Sequence, residues 1–236
     1  YELEAESRKR LEELRGEENL EALREAEALA RKAYDAKAKL LTQARRSAAE
    51  KFSRAVTEEM QQLSMKGGRF EVALEACAPS EHGSEKCEFL MAGHPGVDVS
   101  PLAKVASGGE LSRIGLAIFT LSSRNTTVPT LIFDEVDSGV GGATGEVVGR
   151  MMKKLGESRQ VLCVTHLPQL AAMADTHFSV EKGEENGRTF TRVVELDRAQ
   201  RCAELARLTG GAAATETQLR GAEELLSAAD AFRSAL

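Results

Sequence analysis

The sequence predicts an α/β fold, a mainly parallel sheet with covering helices, preceded by one long helix of coiled-coil type. Three observations carry that expectation. Residues 1 to about 66 are dominated by Glu, Ala, Leu, Arg, Lys and Gln, with no proline and a single glycine, Gly16, which is the composition of a long helix. Two short apolar runs, Thr130 to Asp134 and Gln160 to Thr165, flank a helical pattern around Thr144 to Leu155, and strand, helix, strand in that order makes a parallel pair. Between arm and strands, Ser107-Gly108-Gly109-Glu110 precedes an apolar-periodic run to about Ser123, the pattern of a capped helix start.

Each element follows in order. In the first segment one seven-residue series runs Leu20, Glu27, Tyr34, Leu41, Ala48, Ala55, with Leu23, Ala30, Lys37, Ala44, Lys51 as its companion. This imperfect seam suits a helix that pairs with another, and a helix from Glu17 to Met65 reaches roughly 70 Å. A solvated, charge-rich helix packed on its own domain is the other reading. At Lys66-Gly67-Gly68 the period changes: Arg69 to Glu75 alternates as a strand, Lys86 to Met91 is its partner, and Gly83 and Ser84 lie in the turn. A Gly/Pro-rich link, His94 to Pro101, leads to the capped helix. After the two buried strands, Phe178 to Lys182 and Thr189 to Leu196 form a hairpin about a turn at Gly183 to Arg188, and helices cover Arg198 to Leu208 and Thr215 to Phe232. The expected division is an arm over 1–66 and a lobe over 67–236.

Bulk properties narrow the function classes. A formal charge of −6 argues against a globally basic nucleic-acid binder, although local patches remain open. Arg45, Arg46, Lys51 and Arg54 are read equally as a solvated helix face or as phosphate contacts. No apolar run approaches a bilayer span, so no membrane partner is expected. Cys77, Cys87, Cys163 and Cys202 form no CxxC pair, which suits a reducing cytosol. Cys77, His82, Cys87 and His94 match no zinc-ligand spacing, and His94 and His177 are read as structural. A first residue of Tyr, not Met, points to a fragment.

The chemistry gathers in three places. Ser107 and Glu110 alone make a capping box, but the bare amides of Gly108 and Gly109 at a helix N-terminus also attract anions. TLIFDEVDSG puts Asp134 and Glu135 at the carboxyl end of a predicted strand, where open α/β sheets bind ligands. Paired acids there suit a division of labour, one for Mg²⁺ on a nucleotide and one for a water, while two solvated acids are the plain alternative. The second strand ends Val164-Thr165-His166, which brings His166 near Asp134 and Glu135 if the strands are neighbours.

Jointly these motifs resemble the head of an ABC-type ATPase of the SMC-like branch that acts in DNA repair. Ala106 to Arg113 resembles the signature, Thr130 to Glu135 the Walker B strand, Val136 to Val140 the D-loop, and Thr165-His166 the switch histidine. The likeness covers about Arg69 to Gly211 and is densest in PLAKVASGGELSR, LIFDEVDSGVGG and VTHLPQLAAMADTHFSVEK. It implies the C-terminal lobe of such a head, using ATP and Mg²⁺. By resemblance Asp134 serves the metal, Glu135 activates water and His166 senses the γ-phosphate. Ser107 with the amides of Gly108 and Gly109 grips a triphosphate held by a second protomer, Glu110 locks the turn, and Asp137 couples the sites across the interface. The implied partners are the N-terminal lobe of the same protein, a second head in an ATP-dependent homodimer, the antiparallel helix of the arm, and DNA, in a cytoplasmic, nucleoid-associated setting.

One part is missing. A phosphate-binding loop needs G-x-x-x-x-G-K-[ST], and none of the 20 glycines is followed by lysine. The expectation is therefore a half-site, inactive alone and completed by a lobe that carries the loop. The alternatives are a non-catalytic coiled-coil docking module and an SMC-like ATPase of chromosome organisation.

Overall fold

The computed structural model describes residues 2–104, 107–122, 128–185, 188–211 and 214–236. A single helix, α1 (Glu2–Gln62), occupies the first segment. Strands β1 (Arg69–Ser80), β2 (Gly83–Ala92) and β3 (Ser100–Pro101) form one sheet in that order, with β3 antiparallel to β2. Helix α2 (Gly108–Leu121) leads to the parallel pair β4 (Thr130–Phe133) and β5 (Gln160–Cys163), with α3 (Gly142–Gly156) as the crossover. A short helix α4 (Pro168–Ala171), the hairpin β6 (Phe178–Glu185) and β7 (Arg188–Glu195), and helices α5 (Arg198–Gly210) and α6 (Glu216–Ser234) complete the chain.

The described residues form two compact units, Tyr1–Lys51 with Ala73–Glu88, and Phe52–Val72 with Phe89–Leu236. In the first, the hairpin tip lies along α1. The Tyr34 hydroxyl accepts the Ser80 amide at 3.1 Å, and Arg45 reaches Glu85 at 3.4 Å beside a Thr42–Glu85 hydrogen bond. These contacts explain why β1 and β2 run well past the expected strand ends, leaving only Glu81 and His82 between them. The strand ends are polar and carry no alternation legible in sequence, and α1 supplies their neighbours. Leu20, Leu23 and Leu41 of the heptad seam stay exposed.

In the second unit the last turns of α1 enter a core with Phe70, Met91, Ile114, Leu116, Phe133, Val148 and Leu155. The change of period at Lys66-Gly67-Gly68 is held by one side chain: Gln61 Nε2 donates to the Gly68 carbonyl at 3.0 Å, and Gln61 Oε1 accepts the Gly67 amide at 2.7 Å. Gly67 has φ +75° and lies against the Pro95 ring, so no side chain fits there. The His94–Pro101 link ends as β3, a two-residue edge strand that tolerates a proline.

A second cluster joins Ala171, Ala172 and Met173 to Leu205, Ala206, Leu226 and Ala229 of α5 and α6. Both helices begin with complete capping boxes, Asp197 with Gln200 and Thr215 with Gln218. At the C-terminal end of α4, Arg201 donates to the carbonyls of Ala172 and Ala174 at 3.2 and 2.8 Å. The expected turn at Gly183 to Arg188 is narrower: Gly183, Glu184 and Arg188 belong to the strands, and Asn186 and Gly187 lie outside the described residues, as do Ala106 and Ser123.

The parallel pair differs from the expectation of strands buried on both faces. Leu131 and Phe133 point into the core, whereas Ile132, Leu162 and Val164 are 71%, 44% and 64% exposed on the opposite face. Parallel strands ordinarily carry cover on both sides. Among the described residues that apolar face stays exposed. Cys163 points inward instead, and burial, aided by Asp137 and Asp134, pushes its thiol up to about 12. Alkylation by iodoacetamide at pH 8 is therefore expected to be more than about ten-fold slower at Cys163 than at exposed Cys77 and Cys87, because the thiolate is the nucleophile. Peptide mass mapping over time reads this directly. No helix among the described residues is long and apolar enough to cross a membrane.

Candidate functional site

The site lies where the carboxyl ends of β4 and β5 meet the N-terminus of α2. Ser107 caps α2 from an extended conformation, and its hydroxyl accepts the Glu110 amide at 3.3 Å. Gly108 is exposed, while Gly109 is buried against the loop that follows β4. A Cβ on Gly109 would meet the Glu135 carbonyl at 3.0 Å and the Ser138 carbonyl at 3.1 Å. Backbone cannot yield as a side chain does, so Gly109→Ala is expected to cost about 1–3 kcal/mol, the scale of overpacking. The urea midpoint of the chain measures it.

Asp134 and Glu135 follow β4 directly and both are exposed. The Asp134 carbonyl accepts the Ser112 hydroxyl at 2.7 Å, and Asp134 Oδ1 accepts the Glu135 amide at 2.9 Å. Glu135 adopts φ +56°, a left-handed conformation rare outside glycine. Such strain persists only where surroundings over-determine it. Here the turn is closed by the Ser138 amide on the Glu135 carbonyl at 2.9 Å, and it delivers the Glu135 carboxylate to Gly108, where a Cβ would stand 2.5 Å from Oε2. A negative charge thus rests on the N-terminus of α2, as the helix dipole favours.

Arg113 fixes this loop. It lies on the core stripe of α2, is 5% exposed, and donates through Nη1 to the carbonyls of Ser138 at 2.8 Å and Val136 at 3.3 Å. Burial lowers its pKa, with the Glu110 carboxylate opposing. Nothing in a motif comparison marks it beyond its place in the SGGELSR run. The physical signal is an arginine in step with Gly109 and Leu116 on an apolar face.

Asp137 turns inward and is buried. Its Oδ2 accepts the Thr165 hydroxyl at 2.5 Å and the His166 amide at 2.8 Å, and stands 3.1 Å from His166 Nδ1. The Thr165 hydroxyl in turn accepts the Leu167 amide at 3.0 Å. Because β4 and β5 are direct neighbours, Asp134, Glu135 and His166 leave one edge of the pair together. Ser107, Gly108 and Gly109 border the same loop. Glu110 points elsewhere, its carboxylate lying beside Gly93.

The donor set is compatible with nucleotide and magnesium. Among the described residues no cluster of three His, Cys, Asp or Glu side chains forms a metal cage. Mg²⁺ needs none, since it is commonly held by one or two carboxylates with substrate phosphates and waters. Exposed Asp134 offers one such carboxylate.

The chain is 46% identical over 183 residues to the DNA repair protein RecN of Vibrio cholerae, covering 77% of this chain and 33% of that protein. With RecN of Haemophilus influenzae the identity is 43% over 211 residues, 89% of this chain and 38% of the relative. The chain is RecN-like. It spans about a third of the length of these RecN relatives. No protein-family model matches it. Among solved structures, the Smc head domain with a coiled coil and joint from Pyrococcus yayanosii aligns with a TM-score of 0.50 and 26% identity, over 68% of this chain and 29% of the other. The α/β lobe that follows the long helix α1 is consistent with the likeness to that Smc head.

Proposed function

We propose that the chain is one half of an SMC-like ABC ATPase head that works in DNA double-strand break repair. Its catalytic groups become active when a lobe with a phosphate-binding loop joins it and a second head closes on the nucleotide. The observation that carries this reading is the convergence of Asp134, Glu135 and His166 at one edge of a parallel pair, beside a helix N-terminus with an exposed glycine. In that assembly Asp134 would hold Mg²⁺, which supplies charge neutralisation at the phosphates. Glu135 takes the proton of the attacking water, and His166 meets the γ-phosphate. Ser107 and the amides of Gly108 and Gly109 bind the triphosphate of the facing head, while Glu110, its carboxylate beside Gly93, contributes its main-chain amide to the Ser107 cap. For Gly108 to accept a phosphate, the Glu135 carboxylate must swing off it.

Two bare surfaces support the partners. The apolar face of Ile132, Leu162 and Val164 suits the N-terminal lobe, and exposed Leu20, Leu23 and Leu41 suit the antiparallel helix of the arm. The proposed arm covers 1–66 and the lobe 67–236, within a cytoplasmic, nucleoid-associated protein that contacts DNA. Sedimentation of the full-length protein tests the reading. With ATP, a Glu135→Gln background is expected to dimerise, and added Ser107→Arg, which sets a bulky side chain at the grip, is expected to return it to monomer. A docking module would ignore Ser107→Arg, and a strict monomer in ATP would overturn the sandwich.

A further inference from the structure

We propose that Asp137 is a positioning residue for His166, fixing the ring's tautomer and leaving Nε2 as the single ring nitrogen offered to the nucleotide. The inference rests on the half-site reading for its catalytic meaning, though not for its geometry. Asp137's side chain is 4% exposed, and one of its oxygens accepts the Thr165 hydroxyl and the His166 amide and stands 3.1 Å from His166 Nδ1. An ionised carboxylate only accepts hydrogen bonds, so the nitrogen facing it carries the proton. The neutral ring then has its lone pair on Nε2, across the ring from Asp137, and the imidazole is 71% exposed.

The carboxylate is itself unable to drift. Its backbone carbonyl accepts the Val140 amide at 3.3 Å, and the carbonyls on either side, of Val136 and Ser138, are held by Arg113. A buried acid needs its lone pairs occupied, and its two hydrogen-bond donors come from the neighbouring Thr165 hydroxyl and from the main chain of His166 itself. The same arrangement, an acid behind a histidine that selects tautomer and orientation without itself exchanging a proton, is how the aspartate of a Ser-His-Asp triad acts. Asp137 thereby ties the loop after β4, which bears Asp134 and Glu135, to the ring at the end of β5.

The tautomer is directly measurable. In the chain labelled with ¹⁵N-histidine, two-bond correlation spectra separate Nδ1–H from Nε2–H rings, and the His166 signals among the four histidines are assigned by their loss in His166→Gln. The expected result is a neutral His166 ring protonated on Nδ1 in the wild type, with that population falling in Asp137→Ala. Asp137→Asn, which keeps an acceptor oxygen without the charge, covers the case in which the alanine variant does not fold, and it lowers the same population. A wild-type ring protonated on Nε2, or a ring unchanged in the folded variants, overturns the proposal. In the full-length protein Asp137→Asn is expected to lower kcat for ATP by about 10-fold or more, the scale on which groups that orient a functional histidine act, with KM less affected. If Glu135→Gln leaves turnover intact while the tautomer is as stated, the half-site reading fails and the positioning contact stands. If Glu135→Gln abolishes turnover while the ring ignores Asp137, the reverse holds.

Discussion

Glu135→Gln in the full-length protein is expected to lower steady-state ATP turnover by about 10²–10⁴-fold, the range over which a positioned general base acts. Glutamine keeps the length of Glu135 and one acceptor oxygen, but an amide oxygen is too weakly basic to take a proton from water. The left-handed backbone at φ +56° and the closing contact from the Ser138 amide do not depend on the carboxylate's charge, so the loop keeps its form. Nucleotide binding is therefore retained while hydrolysis is lost. Single-turnover assays beside filter binding of ATP separate the two. Turnover within about two-fold of wild type would remove Glu135 from the chemistry. The chain alone is expected to show no turnover with either residue.

Arg113→Ala is expected to destabilise the chain by about 3 kcal/mol. The guanidinium bonds two main-chain carbonyls inside the protein, and hydrogen bonds to charged groups are worth about 1.5–3 kcal/mol each before the cost of stranded acceptors is counted. Losing the side chain strands the Val136 and Ser138 carbonyls and opens a void between α2 and the loop. Arg113→Lys separates charge from geometry, since an ammonium is a point donor that does not match the planar fork. It is expected to recover only part of the loss. Urea denaturation followed by circular dichroism reads both variants, and an alanine variant within about 0.5 kcal/mol of wild type would show that the loop holds itself.

Much of this was legible in residues whose role is local. The Ser107 cap, the termination of β4 at Asp134 and the parallel pairing of β4 with β5 follow from composition and period, because each depends on neighbours within a few positions. Helix α4 and strand β3 were not legible: one turn and two residues carry no period, and Pro101 reads as a breaker until β2 gives it a partner. The inward turn of Asp137 was also hidden. Its donors lie at Thr165 and His166, 28 and 29 positions away, and only the parallel register brings them within reach. Burial of β4 and β5 on both faces was inferred from apolar runs, and the runs are real. Their outer residues, Ile132 and Leu162, are apolar yet exposed among the described residues.

That uncovered side of the parallel pair has a consequence for how the machine comes into being. Ile132 and Leu162 lie on the same two strands whose ends display the acids and the imidazole, and Val164 directly follows β5. On the proposed reading, a lobe that shields those three side chains from water would also steady the register of Asp134, Glu135 and His166. On the proposed half-site reading, maturation of the structure and licensing of its chemistry are one event, and a half without its partner is held silent by the same solvent that makes it sticky.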